Sequence, residues 1–134
     1  MGNPSAMEEK MGARRTALIV DDEPEIRLLA RRQLEGAGYA TLEAADGYEA
    51  LDLLLGGLRP DVVLLDLRMP RIDGLDVVKE LHSRGLIEEI PVVAFSAHGC
   101  GALVDELLCL GCRGCITKPY TQGQLLDTVQ AVAA

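Results

Sequence analysis

Apolar residues fall along this chain in two rhythms. Short unbroken runs, ALIV at 17–20, DVVLLD at 61–66 and PVVAFSA at 91–97, read as strands buried on both faces. Elsewhere apolar positions recur every three or four residues, the helical period. Ile26, Leu29, Ala30 and Leu34 make one such face, opened by Pro24 and ended by Gly36 and Gly38. YATLEAA at 39–45 is a weaker strand. After Gly47, Ala50, Leu51, Leu54 and Leu55 share a second helical face that stops at Gly56-Gly57. Leu75, Val78 and Leu81 mark a third helix closed near Gly85, and Leu103, Leu107 and Leu110 a fourth over 101–110. Cys115 to Thr117 is a short fifth strand, and Leu125, Val129 and Val132 place the last helix at the C-terminus.

Strands that alternate with helices imply α/β architecture: a parallel sheet of five strands with helices on both faces, because each parallel connection needs a crossover. Residues 1–15 carry no sustained periodicity and an internal Met-Gly, so they read as a disordered lead-in or cloning remnant, leaving one domain over 16–134. The length of 134 residues suits a single core. A charge of -8 argues against direct nucleic-acid binding, which needs clustered Lys and Arg, and suits a divalent cation. No long apolar run or signal-peptide pattern supports a membrane or secretory role, so a cytoplasmic protein with reduced thiols is expected.

Polar groups collect where the strands end. Asp21 and Asp22 follow ALIV, Asp66 follows VVLL, Ser96 follows VVAF and Lys118 follows CIT. In an open parallel sheet these positions share the carboxyl edge, where such folds place ligands. Taken singly, each has a plain alternative, since Asp and Ser after a strand are common caps and a lone Lys is a common surface charge. Their convergence favours a site. Three close carboxylates repel one another unless a cation compensates them, and Mg²⁺ takes such hard oxygen ligands together with phosphate oxygens. A carboxylate can also be a nucleophile that forms an aspartyl phosphate. Asp66, on the central strand, is the candidate, with Asp21 and Asp22 as metal holders.

VDDEP, LLDLRMPRIDG, FSA and KP, in this order and spacing, resemble the receiver domain of bacterial two-component response regulators, over residues 16 to about 134. The resemblance implies a flavodoxin-like, doubly wound three-layer sandwich of five helices on a sheet of order 2-1-3-4-5. It makes Asp66 the phosphoacceptor, and Asp21, Asp22, Asp66 and the backbone carbonyl of Arg68 the Mg²⁺ ligands. Ser96 becomes the switch hydroxyl, Lys118 the ammonium on the phosphoryl group, and the bond before Pro119 cis. The implied donors are a sensor histidine kinase or a histidine phosphotransfer protein, and the output is a conformational shift read by a downstream effector, not turnover of a metabolite. A homodimer through the fourth and fifth elements is compatible with the pattern but draws no support from it. Either a stand-alone receiver or a piece of a longer regulator fits.

Two departures stand out. The position three residues before the lysine usually holds Tyr or Phe in this family and here holds Cys115, while Tyr120 does not occupy that position. Arg68 and His98 each lie two residues beyond a site residue, where long side chains can shield an acyl phosphate from water or merely line a solvated rim.

Competing readings are weaker. Haloacid-dehalogenase-like phosphatases use Asp-x-Asp where this chain has Asp66-Leu67-Arg68, and a flavin module needs a Ser, Thr and Gly-rich loop where this chain has VDDEP. A phosphorylation-independent pseudo-receiver is disfavoured because every site residue is present. Cys109, Cys112 and Cys115 match part of a ferredoxin motif, yet Pro119 stands where its fourth Cys belongs. Cys100 would lie about 13 Å from Cys109 along a helix over 101–110, too far to share one ion. These thiols therefore read as small hydrophobes, with Cys115 in a buried strand.

Overall fold

The computed structural model describes residues 14–96 and 103–133. Val62–Asp66 and Val92–Ser96 are buried at every position, as their unbroken apolar runs require of central strands. They are β3 and β4 of one parallel sheet with β1 (Thr16–Val20), β2 (Ala40–Ala44) and β5 (Gly114–Thr117), in the order β2-β1-β3-β4-β5. Between the strands run α1 (Pro24–Gly36), α2 (Gly47–Leu55), α3 (Gly74–Ser83) and α4 (Val104–Leu110), with α5 (Gln122–Ala133) after β5. The fold class read from the sequence and the strand order that the resemblance implies are those observed.

Side chains alternate across the strands and so divide the interior into two cores. Leu18, Val20, Val63, Leu65, Val92 and Ala94 face the layer that includes α2, α3 and α4 through Leu54, Leu81 and Leu107. Ile19, Leu64, Val93, Phe95 and Ile116 face α1 and α5 through Leu34, Leu125 and Val129. A helix on each side satisfies both faces of the central strands. No helix among the described residues is long and apolar enough to cross a membrane.

Several expectations need correction. Leu29 and Leu55 are exposed, because Ala30 with Leu34, and Leu51 with Leu54, already cover the sheet and leave the neighbouring leucines at the rim. The fourth helix begins at Val104, with Leu103 exposed just before it, so the described part is shorter than 101–110. Cys115 is neither buried nor a free thiol. It is exposed on β5, an edge strand whose outer side no strand among the described residues covers, and it is disulfide-bonded, so the expectation of reduced thiols fails there. Cys109 is an exposed free thiol, whereas Cys112 is buried and free, the thiol that behaves as the small hydrophobe expected. Burial pushes the Cys112 thiol up to about 11, so it stays protonated at neutral pH. His98 and Cys100 lie outside the described residues.

Candidate functional site

At the carboxyl edge of the sheet, the carboxylates of Asp21, Asp22 and Asp66 each offer an oxygen within 4.8 Å of the others. Asp21 is fully buried, Asp66 is 6% exposed, and Asp22 faces solvent. Lys118 closes the group, its Nζ 2.9 Å from Asp21 Oδ2 and 3.6 Å from Asp66 Oδ2. Sequence positions 97 residues apart thus meet because β1, β3 and β5 all end on one edge.

Each group is held by its own local structure. Asp21 accepts a hydrogen bond from the Glu23 amide at Oδ1, 2.9 Å away. Its carbonyl accepts from the Arg27 guanidinium at 2.6 Å, which ties the turn to α1. Asp66 Oδ1 accepts from the Arg68 amide at 3.1 Å. Behind Asp66 the chain is packed tightly. A Cβ on Gly74 would lie 2.5 Å from the Asp66 carbonyl oxygen, so only glycine lets α3 start against the strand end. Asp73 and Asp76 then form a reciprocal capping box that fixes where that helix begins. Lys118 is set by its amide, which donates to the Ser96 carbonyl at 2.8 Å. The Lys118–Pro119 bond is cis, and Thr121 and Gln124 cap the start of α5 just beyond it.

Electrostatics single out Asp66. Burial is the main cause that raises its pKa to about 6. The Arg68 amide opposes the rise, the Asp21 charge adds to it, Lys118 opposes it and Asp22 adds a little more. The Lys118 ammonium contacts two of the three carboxylates, so the cluster carries excess negative charge on oxygen donors. That donor set fits a hard divalent cation such as Mg²⁺, which Asp21, Asp22 and Asp66 could hold.

Of the remaining residues singled out in the sequence, Ser96 ends β4, is 3% exposed and pairs in register with Thr117. Arg68 is exposed at the rim. Cys115 pairs in register with Ala94, on the strand that leads to Lys118. Tyr120 is half-buried, its hydroxyl pushed up in pKa by burial and then by Asp21.

Two residues near the site were not anticipated. Arg71 holds a left-handed backbone (φ 69°) in the loop after β3. Its guanidinium lies 3.3 Å from Asp46 Oδ2, the carboxylate that caps α2, and 6.0 Å from the Tyr48 ring centroid. Phe95 packs its ring under Lys118, with Nζ 4.5 Å from the centroid. No local motif marks Arg71. Phe95 was accessible through strand parity, since it is two residues beyond Val93 on the face that Ile19, Leu64 and Ile116 share.

The profile described as "Response regulator receiver domain" matches residues 17–130. Response regulator MprA of Mycobacterium sp. (strain KMS) is 37% identical over 115 residues, 86% of this chain and 49% of that protein. Sporulation initiation phosphotransferase F of Bacillus subtilis (strain 168) is 35% identical over 113 residues, 84% of this chain and 89% of that one. The structure of chemotaxis protein CheY4 of Vibrio cholerae matches with a TM-score of 0.81 at 32% identity, covering 90% of this chain and 99% of its own. The chain spans about half the length of the MprA relatives it matches.

Proposed function

Because the chain belongs to the response regulator receiver domain family, we propose that residues from 16 onward form a phosphoacceptor domain whose Asp66 takes a phosphoryl group from a phosphohistidine. The donor is a sensor histidine kinase or a histidine phosphotransfer protein. One observation carries this reading: three carboxylates within 4.8 Å of one another at the carboxyl edge, with the Lys118 ammonium against two of them.

The chemistry asked of these residues is modest. An Asp66 carboxylate oxygen attacks phosphorus, an O–P bond forms as the donor's P–N bond breaks, and the imidazole leaves with a proton. Asp21, Asp22, Asp66 and the Arg68 carbonyl would hold Mg²⁺, which when bound would supply positive charge for the phosphoryl oxygens. Lys118 moves its ammonium from Asp66 to the new phosphate, a shift of short range given its 3.6 Å separation now. Ser96 offers its hydroxyl to another phosphoryl oxygen and biases a two-state equilibrium at α4 and β5. At Cys115 the strand presents a disulfide sulfur instead of an aromatic ring, so the shift reaches the surface without the usual ring rotation.

Beside Lys118, a pocket of about 290 Å³ lined by Ile26, Leu29, Pro119 and Tyr120 gives the donor protein an apolar foothold next to the acceptor. The phosphorylated state then acts on a downstream effector. The chain catalyses only its own phosphorylation and dephosphorylation, and a cytoplasmic setting suits such donors. Exposed Arg68 shields the acyl phosphate from water. On this account Arg68→Ala speeds loss of phosphate severalfold, and an unchanged dephosphorylation rate removes Arg68 from the account.

The reading is tested by incubating wild type and Asp66→Asn with Mg²⁺ and acetyl phosphate, followed by phosphate-affinity electrophoresis. Wild type is retarded and the variant is not. Stable incorporation into Asp66→Asn at the wild-type rate overturns the assignment.

A further inference from the structure

We propose that Phe95 is a positioning residue for Lys118: its ring face holds the ammonium at the site. This rests on the phosphoacceptor reading of Asp66. The Lys118 side chain has a flexible four-carbon stem, and two carboxylates pull its head from one side, at 2.9 and 3.6 Å. Neither anchor stays constant through the proposed reaction: Asp66 would take the phosphoryl group and Asp21 would hold the metal. Once a divalent cation shares the Asp21 and Asp66 oxygens, their pull on the ammonium weakens. The negative face of an aromatic ring neither titrates nor binds the metal, so its attraction persists through the cycle. Nζ lies 4.5 Å from the Phe95 centroid, inside the range of about 6 Å over which that attraction acts.

The placement follows from the sheet. Phe95 pairs in register with Asp66 on one side and Ile116 on the other. Its side chain points to the face shared by Leu64 and Ile116, whose next same-face positions are Asp66 and Lys118. A residue at 94 or 96 belongs to the opposite parity. The bland alternative is that Phe95, 2% exposed and packed with Leu125 and Val129, only fills the core. An aliphatic side chain would then serve equally well.

Composition makes a clean test available. The chain contains one Phe, so biosynthetic replacement of phenylalanine by its 4-fluoro, 3,5-difluoro and 3,4,5-trifluoro analogues alters one side chain in the intact protein. Fluorination withdraws negative charge from the ring face with little change of shape. Two readouts are taken at equal stability, verified by thermal unfolding. One is the rate of Mg²⁺-dependent phosphorylation by acetyl phosphate. The other is the proton shift of the Lys118 ε-methylene in metal-free protein, which the ring moves upfield while the head stays over it.

Expected is a graded fall in rate, about three- to tenfold at the trifluoro analogue, with progressive loss of the upfield shift. A flat rate and an unchanged shift across the series overturn the proposal and leave Phe95 as core packing. If unmodified protein takes no phosphate at all, the acceptor reading fails instead. The metal-free spectrum then decides the Phe95–Lys118 contact alone, a graded loss supporting it and a flat series overturning it.

Discussion

Asp66 carries the sharpest residue-level consequence. Its carboxyl titrates near 6 in the fold against 3.8 in an ordinary setting, so between those values the folded chain binds more protons than the unfolded one. Stability therefore falls as pH rises through that window, and above about 6 the cost of the buried charge is fully present. Asp66→Asn removes this cost. In metal-free buffer at pH 8 the variant should be more stable by about 1–3 kcal/mol, and the gain should vanish near pH 4, as measured by urea unfolding. A variant less stable than wild type at pH 8 would contradict the raised pKa. The polar residues of the site were legible because each follows an apolar run, which fixes its place at the carboxyl edge. Phe95 was not, because an aromatic inside such a run reads as core until the parity of neighbouring strands is compared. Cys115 was misread because its apolar character and its place in a strand suggested burial, but β5 is an edge strand with no described strand on its outer side.

Among the elements, the turn from β3 into α3 bears most of the positional demand. Gly74 meets backbone atoms of Asp66 and Leu67, which cannot move aside as a flexible side chain can. Gly74→Ala should cost roughly 1–3 kcal/mol by urea unfolding and slow the proposed phosphorylation, because relief of the clash displaces Asp66. Gly36→Ala is the control. No atom lies within 4 Å of its added Cβ and its φ is ordinary, so stability should hold or rise slightly and phosphorylation should not change. Equal effects of the two substitutions would mean that contact with Asp66 is not what Gly74 provides. Helix starts at Pro24 and Gly47 and the strand runs were readable from local signals. Less readable were the rims, where Leu29 and Leu55 keep the helical period yet lie beyond the width of the buried stripe. The Arg71–Asp46 contact joins segments 25 residues apart and has no local signature.

At the scale of the whole molecule, two cores on opposite faces of one sheet hold the edge at which four strands deliver their polar ends. Unbroken apolar runs alternating with the 3.6-residue period were enough to imply a parallel sheet wrapped on both sides, while the order β2-β1-β3-β4-β5 came from the resemblance, since periodicity does not rank strands. The central claim is that this edge delivers a phosphoryl group to Asp66. It is tested most directly by treating the Mg²⁺-loaded chain with acetyl phosphate, reducing it with borohydride and mapping the peptides by mass spectrometry. The account predicts conversion of residue 66 to homoserine, dependent on both Mg²⁺ and the phosphodonor. Conversion at another aspartate, or none at residue 66 while phosphate is incorporated elsewhere, would contradict it.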